Sequence, residues 1–542
     1  SSYYLPHHGV VKEDSTTTKL RVVFDASCKS ATGMSLNETL FIGPTVQPEL
    51  YDIIIKFLTK PIALKADIAK MYRQILVNEA HRNYQRIIWR DNPHEKFKHF
   101  NLNTVTYGTS CAPYLATRTL NQLSEDYQHK HPDACEVIRS NFYVDDLLFT
   151  CDTVERSINL REELCEIFEK AGMSLRKWVS NNPEVLSSIP TSYLEKIEES
   201  SEIKALGIIW NISSDTFSFK LNFKEKKSLT MAAVLSNIAS IYDPIGWLGP
   251  IILTAKLFMK KLWSRHLDWK STLPDDLCEE WKIFEKSLAL VNQIKINRQI
   301  VCLNSINIQL HGFCDASTKA YGMVLYLRSI DANKNVLCRI ITSKSRVAPQ
   351  KQITLARLEL SGLLLLTKFA KRISTILEIP ANDVYLWSDS LIALHWVKSE
   401  PAKLSVFVGN RVADIQEEAE KFNFRHVRTK NNPADLISRG TTSEELNGCD
   451  LWWNGPNYLQ EDVECWPQSL LQFDLDNSEY KKEFRRVLLV THPSLNHIIK
   501  YIENRFSHPT KLFKIFASFL RTIDKWKKKE LKISAKGKEV SS

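Results

Sequence analysis

The chain has 542 residues, of which 44% are hydrophobic and 25% charged. This length exceeds what one hydrophobic core supports, so the chain should divide into about three or four domains. No run of about 18 apolar residues occurs, which argues against a transmembrane span and predicts no membrane partner. The net charge of +10 fits a polyanionic partner. Eleven scattered cysteines without a Cys-x-x-Cys pair argue against a disulfide framework and favour a reducing compartment.

The first third of the chain alternates short strand patterns with loops that carry isolated polar residues. The alternating segment 19–27 predicts a strand that brings Arg21 to one face. A loop and a helix follow, and an apolar strand over 62–66 then delivers Asp67 to its end. Tyr72 lies five residues further on. On its own, an aspartate after a strand is most often a helix cap.

Two adjacent carboxylates, Asp145 and Asp146, stand inside a run of β-branched and aromatic residues over 142–149. A buried strand would not tolerate two bare charges, because an unpaired buried carboxylate is neutralised or destabilises the fold. The pattern therefore predicts a β-hairpin whose tight turn presents both carboxylates to a divalent metal such as Mg²⁺. An exposed acidic turn is the alternative for the isolated pair. Upstream, Gly108 lies in a run of small residues, and a polar loop around His131 is predicted before the hairpin.

The middle of the chain is predicted to be a helical connector without chemistry of its own. A strand that carries Lys177 and a hairpin around Gly207 precede it. A compact loop over 240–250 then leads into a helix with one apolar side and one side towards solvent. The apolar side carries Leu257, Phe258, Leu262 and Trp263, and the solvent side carries Lys256, Lys260 and Lys261.

A second set of acids follows strands and helices in alternation. A strand ends at Asp315, an apolar helix carries Glu359, another strand delivers Asp389, and a last helix begins with Asp435 near its start. Taken singly, Asp389 is also explained as a helix cap, and Glu359 as part of a solvated face. His426 lies inside a predicted strand, and no catalytic role is assigned to it.

These motifs resemble those of BEL/Pao-type long-terminal-repeat retrotransposon polyproteins, over about residues 3–460. Tyr143–Asp146 matches the Tyr-x-Asp-Asp motif of reverse transcriptases, and Arg21–Asp25 matches their Arg-x-Val-x-Asp segment. Gly108–Pro113 has the Gly-Thr-Ser-x-x-Pro form of BEL/Pao elements. The order strand-Asp, helix-Glu, strand-Asp, helix-Asp is similar to that of the ribonuclease H fold, and Asn432–Arg439 reads Asn-Pro-Ala-Asp-x-x-Ser-Arg.

The resemblance implies an α+β / α/β multidomain fold, in which the fingers and palm of a right-hand polymerase precede a ribonuclease H-like domain. The implied regions are reverse transcriptase fingers and palm (1–212), a thumb- or connection-like helical region (213–304), a ribonuclease H-like domain (305–441), and a linker with the start of an integrase-proximal region (442–542). Within the last region, a polar linker is predicted from Glu461 and a helical segment from His492 to Trp526.

The resemblance also implies roles for single residues of the polymerase. Arg21 would contact the triphosphate of the incoming nucleotide, because a planar guanidinium suits phosphate oxygens. Tyr72 would act as a steric gate beneath the sugar, and the turn at Gly108 would let the backbone approach the nucleotide. Lys177 is a candidate proton donor to pyrophosphate. The residues that would hold two Mg²⁺ ions at this site are Asp67, Asp145 and Asp146.

The nuclease site implied by the resemblance would hold two further Mg²⁺ ions around the scissile phosphate of the RNA strand. Mn²⁺ is an alternative ion at both sites. The residues that would hold the metals there are Asp315, Glu359, Asp389 and Asp435.

The implied function is that of an RNA-directed DNA polymerase with ribonuclease H activity, which copies RNA into DNA and degrades the RNA of the hybrid. Its partners would be an RNA template, a DNA primer, deoxynucleoside triphosphates (dNTPs) and the RNA–DNA hybrid, with protease, integrase and capsid as further polyprotein products. The implied location is the cytoplasm, in virus-like particles. Two alternatives stay open: a domesticated or truncated copy that binds hybrids without turnover, and a polyprotein segment that acts in assembly.

Overall fold

The computed structural model describes residues 2–13, 19–197, 201–221, 228–467, 478–484, 517–518 and 521. The chain divides into two compact units, residues 1–483 and 484–542, and every element below belongs to the first. No helix among the described residues is long and apolar enough to cross a membrane. The helix predicted from His492 to Trp526 lies almost entirely outside the described residues.

The region up to residue 197 corresponds to the fingers and palm that the resemblance implies. Its strands are β1 (His7–Val11), β2 (Leu20–Phe24), β3 (Ile62–Ile68), β4 (Arg86–Trp89), β5 (Lys98–Asn101), β6 (Phe142–Tyr143), β7 (Asp146–Cys151) and β8 (Leu175–Ser180). Its helices are α1 (Leu36–Thr39), α2 (Leu50–Phe57), α3 (Ala112–Tyr127), α4 (Pro132–Ser140) and α5 (Val154–Lys170). The pairs β1–β2 and β4–β5 are separate antiparallel hairpins.

The palm is a four-stranded antiparallel sheet in the order β6-β7-β3-β8. Leu64 and Phe149 of this sheet share one hydrophobic core with Leu120 of α3 and with Leu164 and Phe168 of α5. Burial of large apolar side chains is the main favourable term in folding. This core therefore holds in place the neighbouring strands β3 and β7, which carry acidic residues at their adjoining ends.

Helix α4 stands where the sequence predicts a polar loop around His131, so that prediction is wrong. Pro132 opens the helix at its first turn, where the missing N–H of proline leaves no hydrogen bond unmade. Ala134, Cys135 and Ile138 are buried on one helix face. The polar start of the segment conceals this short apolar face, because the face spans little more than one turn.

The connector joins the palm to the next domain. It contains β9 (Glu202–Ala205), β10 (Ile208–Asn211), β11 (Thr216–Ser218), α6 (Met231–Ser240), α7 (Gly249–Ser264), α8 (Asp275–Ser287) and β12 (Lys295–Asn297). The strands form a sheet in the order β12-β11-β10-β9, which includes the predicted β9–β10 hairpin. Arg298, which is fully buried, donates to Asp215 and to the backbone oxygens of Phe57 and Pro61. These bonds anchor the sheet to the palm.

The nuclease-like domain is built on a five-stranded mixed sheet. Its elements are β13 (Ser305–Ala316), β14 (Ala320–Asp331), β15 (Val336–Val347), α9 (Leu355–Ile376), β16 (Val384–Ser388), α10 (Leu391–Lys398), α11 (Val406–Glu418), β17 (Asn423–His426) and α12 (Ala434–Arg439). The sheet order is β15-β14-β13-β16-β17, with β13, β16 and β17 parallel. Helix α9 packs on β13 and β14, and α12 packs on β13, β14 and β15.

Helix α7 of the connector packs on strand β15 and helix α12 of the nuclease-like domain as well as on α6. Phe258 and Leu262 are buried as predicted. Trp263, predicted on the apolar side, is 52% exposed, and Lys260, predicted towards solvent, donates to the Ala348 carbonyl at 2.8 Å. Both predictions are wrong. The Lys260 contact arises because the helix is covered from two directions, which a single apolar stripe does not describe, whereas this packing does not explain the exposure of Trp263.

After α12 the chain continues through α13 (Ser443–Asn447), which packs on α7, and α14 (Asp450–Asn454), which packs on β15, and α15 (Ser478–Lys482) follows. Trp466 is buried, and the guanidinium of Arg328 donates to the Glu461 carbonyl at 2.9 Å. Further along, Glu483 accepts a hydrogen bond from Arg357 of α9 at 2.7 Å. Residues 461–465 are exposed, as a polar linker predicts, but the Glu461 carbonyl and the Trp466 side chain tie the segment to the nuclease-like domain.

Gly246 fixes the connector loop against β15 and provides a stability test. Its φ is +84°, and a Cβ atom would lie 2.0 Å from the Ser343 carbonyl oxygen. We expect Gly246→Ala to lower the free energy of unfolding by about 1–3 kcal/mol, because the side chain adds both a clash and a disfavoured φ. Urea denaturation measures this. Gly448→Ala is the control, since no atom lies within 4 Å of its Cβ position; equal losses in the two variants would contradict the prediction.

Candidate active sites

The first candidate site lies where β3, the β6–β7 turn and β8 meet in the palm. Asp67 and Asp146 are directly opposite each other in the antiparallel β3–β7 pair. Val144 and Asp145 form the turn before β7, and the Ile68 N–H donates to the Asp145 carbonyl at 2.9 Å. The register thus brings together the three acids that the sequence assigns to the polymerase site.

Two lysines partly neutralise this acidic cluster. Lys177 donates to Asp67, and the Lys65 ammonium lies 3.7 Å from Asp146. Burial, and then the charge of Asp146, raises the pKa of Asp145. Burial also raises the pKa of Asp146, against the lowering effect of Lys65. The site therefore concentrates negative charge in a partly desolvated place, which is the environment that favours a bound cation.

The residues predicted to bind the nucleotide are Tyr72, Arg21 and Gly108. Tyr72 is half-buried and packs against the same hydrophobic core as Val144 of the turn; burial, and then the charge of Asp145, raises the pKa of its phenol. Arg21 is exposed on β2. Gly108 has a φ of +96°, and a Cβ there would lie 2.4 Å from the Phe24 carbonyl oxygen. The glycine therefore allows close approach to the strand that carries Arg21.

The second candidate site lies at the end of strands β13 and β16 in the nuclease-like domain. Carboxylate oxygens of Asp315, Glu359 and Asp389 all lie within 4.8 Å of one another. Asp315 is at the end of β13, Glu359 is in the second turn of α9, and Asp389 directly follows β16. Asp435 is in the first turn of α12; burial first, and its charge to a smaller extent, raises the pKa values of both Asp315 and Asp389. The structure thus brings three of the four predicted acids within 4.8 Å of one another, with Asp435 on a neighbouring helix.

The pKa values of two of these carboxyl groups are raised well above those of ordinary carboxyl groups. Burial raises the pKa of Asp315 to about 7, although a hydrogen bond from Ser438 opposes the shift. Burial, then the charges of Asp315 and Asp389, raises the pKa of Glu359 to about 9. Glu359 is only 7% exposed, and its Oε2 has no hydrogen-bond partner. Carboxylates crowded in this way repel one another unless protons or a cation neutralise them.

Side chains around the four acids orient them. Thr429 donates to Asp389 at 2.8 Å, and Arg439 donates to Asp435 at 2.5 Å. Burial lowers the pKa of His426, while a hydrogen bond with the Asp389 backbone opposes the shift. Thr429 and His426 were not predicted as site residues. Ser438 and Arg439 belong to the Asn432–Arg439 motif, so a signal for them was present in the sequence.

The donor set of the second site fits divalent cations. Hard cations such as Mg²⁺ and Mn²⁺ take carboxylate oxygens, and Glu359 offers a buried oxygen that no protein group satisfies. At the first site, Asp67, Asp145 and Asp146 offer the same kind of ligand, with Lys177 and Lys65 in contact with two of them. Asp315, Glu359 and Asp389 would hold the cation at the nuclease-like site, and the palm acids would do so in the palm.

Comparisons with known proteins agree with this architecture. A family model described as reverse transcriptase (RNA-dependent DNA polymerase) matches residues 12–208. A second, described as Pao retrotransposon-like RNaseH-like domain, matches residues 230–390. A comparison with curated protein sequences gives no match.

Two solved structures of foamy viral proteins are similar in fold. The first is the protease-reverse transcriptase dRH in complex with double-stranded DNA, with 16% identity, a TM-score of 0.51, and coverage of 79% of this chain and 65% of that one. The second is the protease-reverse transcriptase in complex with an RNA/DNA hybrid, with 15% identity, a TM-score of 0.50, and coverage of 79% and 51%. This chain thus spans less than two thirds of either viral chain.

The predicted fold class, a reverse transcriptase followed by a ribonuclease H-like domain in a mixed α/β chain, is confirmed by the structural likeness and the reverse transcriptase match. The second match covers α9 and the strands that carry Asp315 and precede Asp389. Together, the two family matches show that the chain belongs to the Pao-type retrotransposon proteins that join a reverse transcriptase to a ribonuclease H-like domain.

Proposed function

We propose that this chain synthesises DNA on an RNA template in its palm and cleaves the RNA strand of the resulting hybrid in its nuclease-like domain. The observation that carries the proposal is the presence of two separate clusters of acids in one compact unit, partly exposed in the palm and largely buried in the nuclease-like domain, each at the adjoining ends of sheet strands. Reverse transcriptases and ribonucleases H both use divalent metal ions, and we propose Mg²⁺ for both sites, two ions at each.

The palm residues supply a site for the primer terminus and the incoming nucleotide. Asp67, Asp145 and Asp146 would hold the cations, which when bound polarise phosphoryl oxygens and favour ionisation of the attacking hydroxyl. Lys177, which donates a hydrogen bond to Asp67, would donate a proton or a hydrogen bond to the departing pyrophosphate. Arg21 would contact the triphosphate with its planar guanidinium. The turn at Gly108 supports the strand that presents Arg21.

In the nuclease-like domain, Asp315, Glu359, Asp389 and Asp435 would hold the cations around a scissile phosphate. Ser438, Thr429 and Arg439 fix the orientations of three of these carboxylates through hydrogen bonds. These hydrogen bonds hold the carboxylates in place before a cation or substrate arrives.

The wider biological setting follows from the same proposal. The partners would be an RNA template, a DNA primer, dNTPs and the hybrid, with protease, integrase and capsid as further polyprotein products. The location would be cytoplasmic, in virus-like particles. We propose the regions 1–212, 213–304, 305–441 and 442–542 as the functional divisions. Helix α7 of the second region packs on β15 and α12 of the third.

The experiment that tests the proposal is primer extension on poly(rA)·oligo(dT), with Mg²⁺ or with EDTA. A parallel assay measures cleavage of a labelled RNA strand in an RNA–DNA hybrid. The proposal predicts both activities, each abolished by EDTA. Cleavage without extension would overturn the polymerase half. Silence in both assays, with retained hybrid binding, would favour the non-catalytic alternative instead.

Sugar selection offers a more specific test of the palm. Tyr72 packs against the same core as Val144, the residue before Asp145, and we propose that its ring would meet the 2′-hydroxyl of a bound ribonucleotide. We expect Tyr72→Ala to increase ribonucleotide incorporation relative to deoxynucleotide incorporation by at least about tenfold, because a steric element that rejects the competitor has been removed. Competitive single-nucleotide extension measures the ratio. Tyr84→Ala, which changes an exposed tyrosine, is the control, and an unchanged ratio in Tyr72→Ala would contradict the assigned role.

A further inference from the structure

Helix α2 contacts strands β6 and β7 of the palm and helix α9 of the nuclease-like domain, and Gln47, three residues before the helix, contacts the backbone of the polymerase turn. The Val144 N–H donates to Gln47 Oε1 at 3.2 Å. Val144 has a φ of +55°, which β-branched residues rarely adopt. A turn with such a residue persists only when its surroundings hold it. The Gln47 side chain is one of the groups that do so, directly before Asp145.

The same helix is bonded to the nuclease-like domain. Arg372 of α9 donates to Asp52 at 2.8 Å and to Glu49 at 2.6 Å. Its guanidinium also lies 4.8 Å from the ring centroid of Tyr51. The Tyr51 hydroxyl donates to Thr342 of β15 at 3.0 Å. Strand β15 and helix α9 of the nuclease-like domain thus both contact the first turn of α2.

Helix α9 connects these contacts with α2 to the nuclease site, because it carries both Arg372 and Glu359. Arg372 follows Glu359 by 13 residues in one uninterrupted helix, a distance of about 20 Å at 1.5 Å per residue. Helix α9 is packed on β13, β14 and α11, and closely packed interiors transmit a displacement from one contact to the next. The polymerase turn, α2 and α9 therefore form a continuous chain of direct contacts: Val144 to Gln47, then Glu49, Tyr51 and Asp52, then Arg372.

We propose that Gln47 is a positioning residue for the Asp145–Asp146 turn, and that Arg372 of the nuclease-like domain positions Gln47 by fixing the first turn of α2. The nuclease-like domain thus contributes to the geometry of the polymerase turn. The effect on catalysis rests on the proposed function, whereas the effect on the turn does not. A second tie, from Asn121 of α3 to the Val46 carbonyl at 3.3 Å, limits how far Gln47 moves when Arg372 is lost.

The first test measures amide hydrogen exchange at Val144 in the full chain, without any substrate. Gln47→Leu removes the acceptor, and we expect exchange to accelerate by about tenfold or more; Arg372→Met should accelerate it by about threefold or more. Lys368→Met is the matched control, because Lys368 lies on the same helix and pairs with Asp414 of α11 instead. Amides of β8 should keep their protection in all variants, which separates a local effect from misfolding.

The second test measures primer extension by the same variants. We expect Gln47→Leu and Arg372→Met to lower kcat by about three- to tenfold, with KM for the nucleotide unchanged. The double variant should be no slower than Gln47→Leu alone, because both changes act through one contact. Val144 exchange in Arg372→Met equal to that in Lys368→Met, or additive losses in the double variant, would overturn the inference. If the native chain does not extend primers, the proposed function fails, and exchange still decides the inference.

Discussion

In the Asp145→Asn variant we expect primer extension to fall by at least about 10³-fold, while cleavage of RNA in a hybrid stays within about twofold of the native chain. Asn keeps the shape of the side chain but removes the charge and one metal-ligand oxygen. Asp145 lies at the turn, between Val144 and the Asp146 that faces Asp67 across the strand pair. The loss should therefore fall on the step that needs the cations.

We expect an effect of this size because the three palm acids would share one cation site. Burial and then the neighbouring Asp146 raise the pKa of Asp145, so that the three palm acids repel one another until a cation joins them. Removing one charge weakens the site for the cation and leaves the remaining oxygens without their common partner. Stability should change little or increase, because Asn carries no charge that needs compensation.

Asp152→Asn is the matched control, since Asp152 follows the other end of β7 and pairs with Lys60 at 2.9 Å on the surface. We expect that variant to extend primers at the native rate, as exposed ion pairs contribute little. Parallel loss of extension in the two variants, or loss of cleavage in Asp145→Asn, would show that the effect is a general one on folding. Asp145→Asn with native extension would remove Asp145 from the metal site.

The strands and helices that carry the acids could be predicted because their signals are local. Short apolar runs that end in an acid mark β3 before Asp67 and β13 before Asp315, and helical periodicity marks α9 around Glu359. That these acids meet in space is not a local property. Only the likeness to a known family suggested it, and the register of β3 with β7 now places Asp67 opposite Asp146.

Groups that act across strands could not be found in this way. Lys65 lies within the buried run of β3, and its relation to Asp146 depends on a pairing between segments 80 residues apart. Glu195 has its pKa raised by burial, and both Lys65 and Lys177 oppose this shift. Nothing in the sequence around Glu195 points to the palm site, because its neighbours are irregular chain.

Tertiary packing also overrode two local patterns. Helix α7 shows one apolar stripe, but the nuclease-like domain covers part of the opposite side, and Lys260 binds the Ala348 carbonyl. Segment 461–466 is rich in acids, yet its backbone accepts from Arg328 and its Trp466 is buried. In both cases a polar side chain is satisfied by a distant partner, which composition alone does not reveal.

The other large effect is expected at the nuclease site, where Glu359→Gln should lower hybrid cleavage by about 10³-fold and leave primer extension unchanged. Glu359 shares a site with Asp315 and Asp389, all within 4.8 Å, and its Oε2 is buried without a hydrogen-bond partner. A neutral amide there removes one of the charges that a cation needs. Glu417→Gln, on the exposed face of α11, makes the same chemical change and should affect neither activity.

Although Glu359→Gln should lower activity, it should raise the thermal stability of the folded chain at pH 8 in EDTA. Burial raises the pKa of Glu359 to about 9, from an ordinary value near 4.5. Between these values the folded chain holds a proton that the unfolded chain has released, so the stability that depends on it is full below about pH 4.5 and is lost as the pH rises towards 9. Glutamine stays neutral throughout. In EDTA at pH 8 we therefore expect Glu359→Gln to melt at least about 2–4 °C above the native chain.

The pH and metal dependence of this difference distinguishes a metal site from a simple buried acid. At pH 5 the native chain and Glu359→Gln should melt together, because both then carry a neutral side chain at residue 359. Added Mg²⁺ at pH 8 should raise the melting temperature of the native chain more than that of the variant, since the cation takes the place of the protons that the acids share. A melting difference in EDTA that is the same at pH 5 and pH 8 would show that ionisation of Glu359 is not its cause. Equal Mg²⁺ shifts in the two chains would place the cation elsewhere.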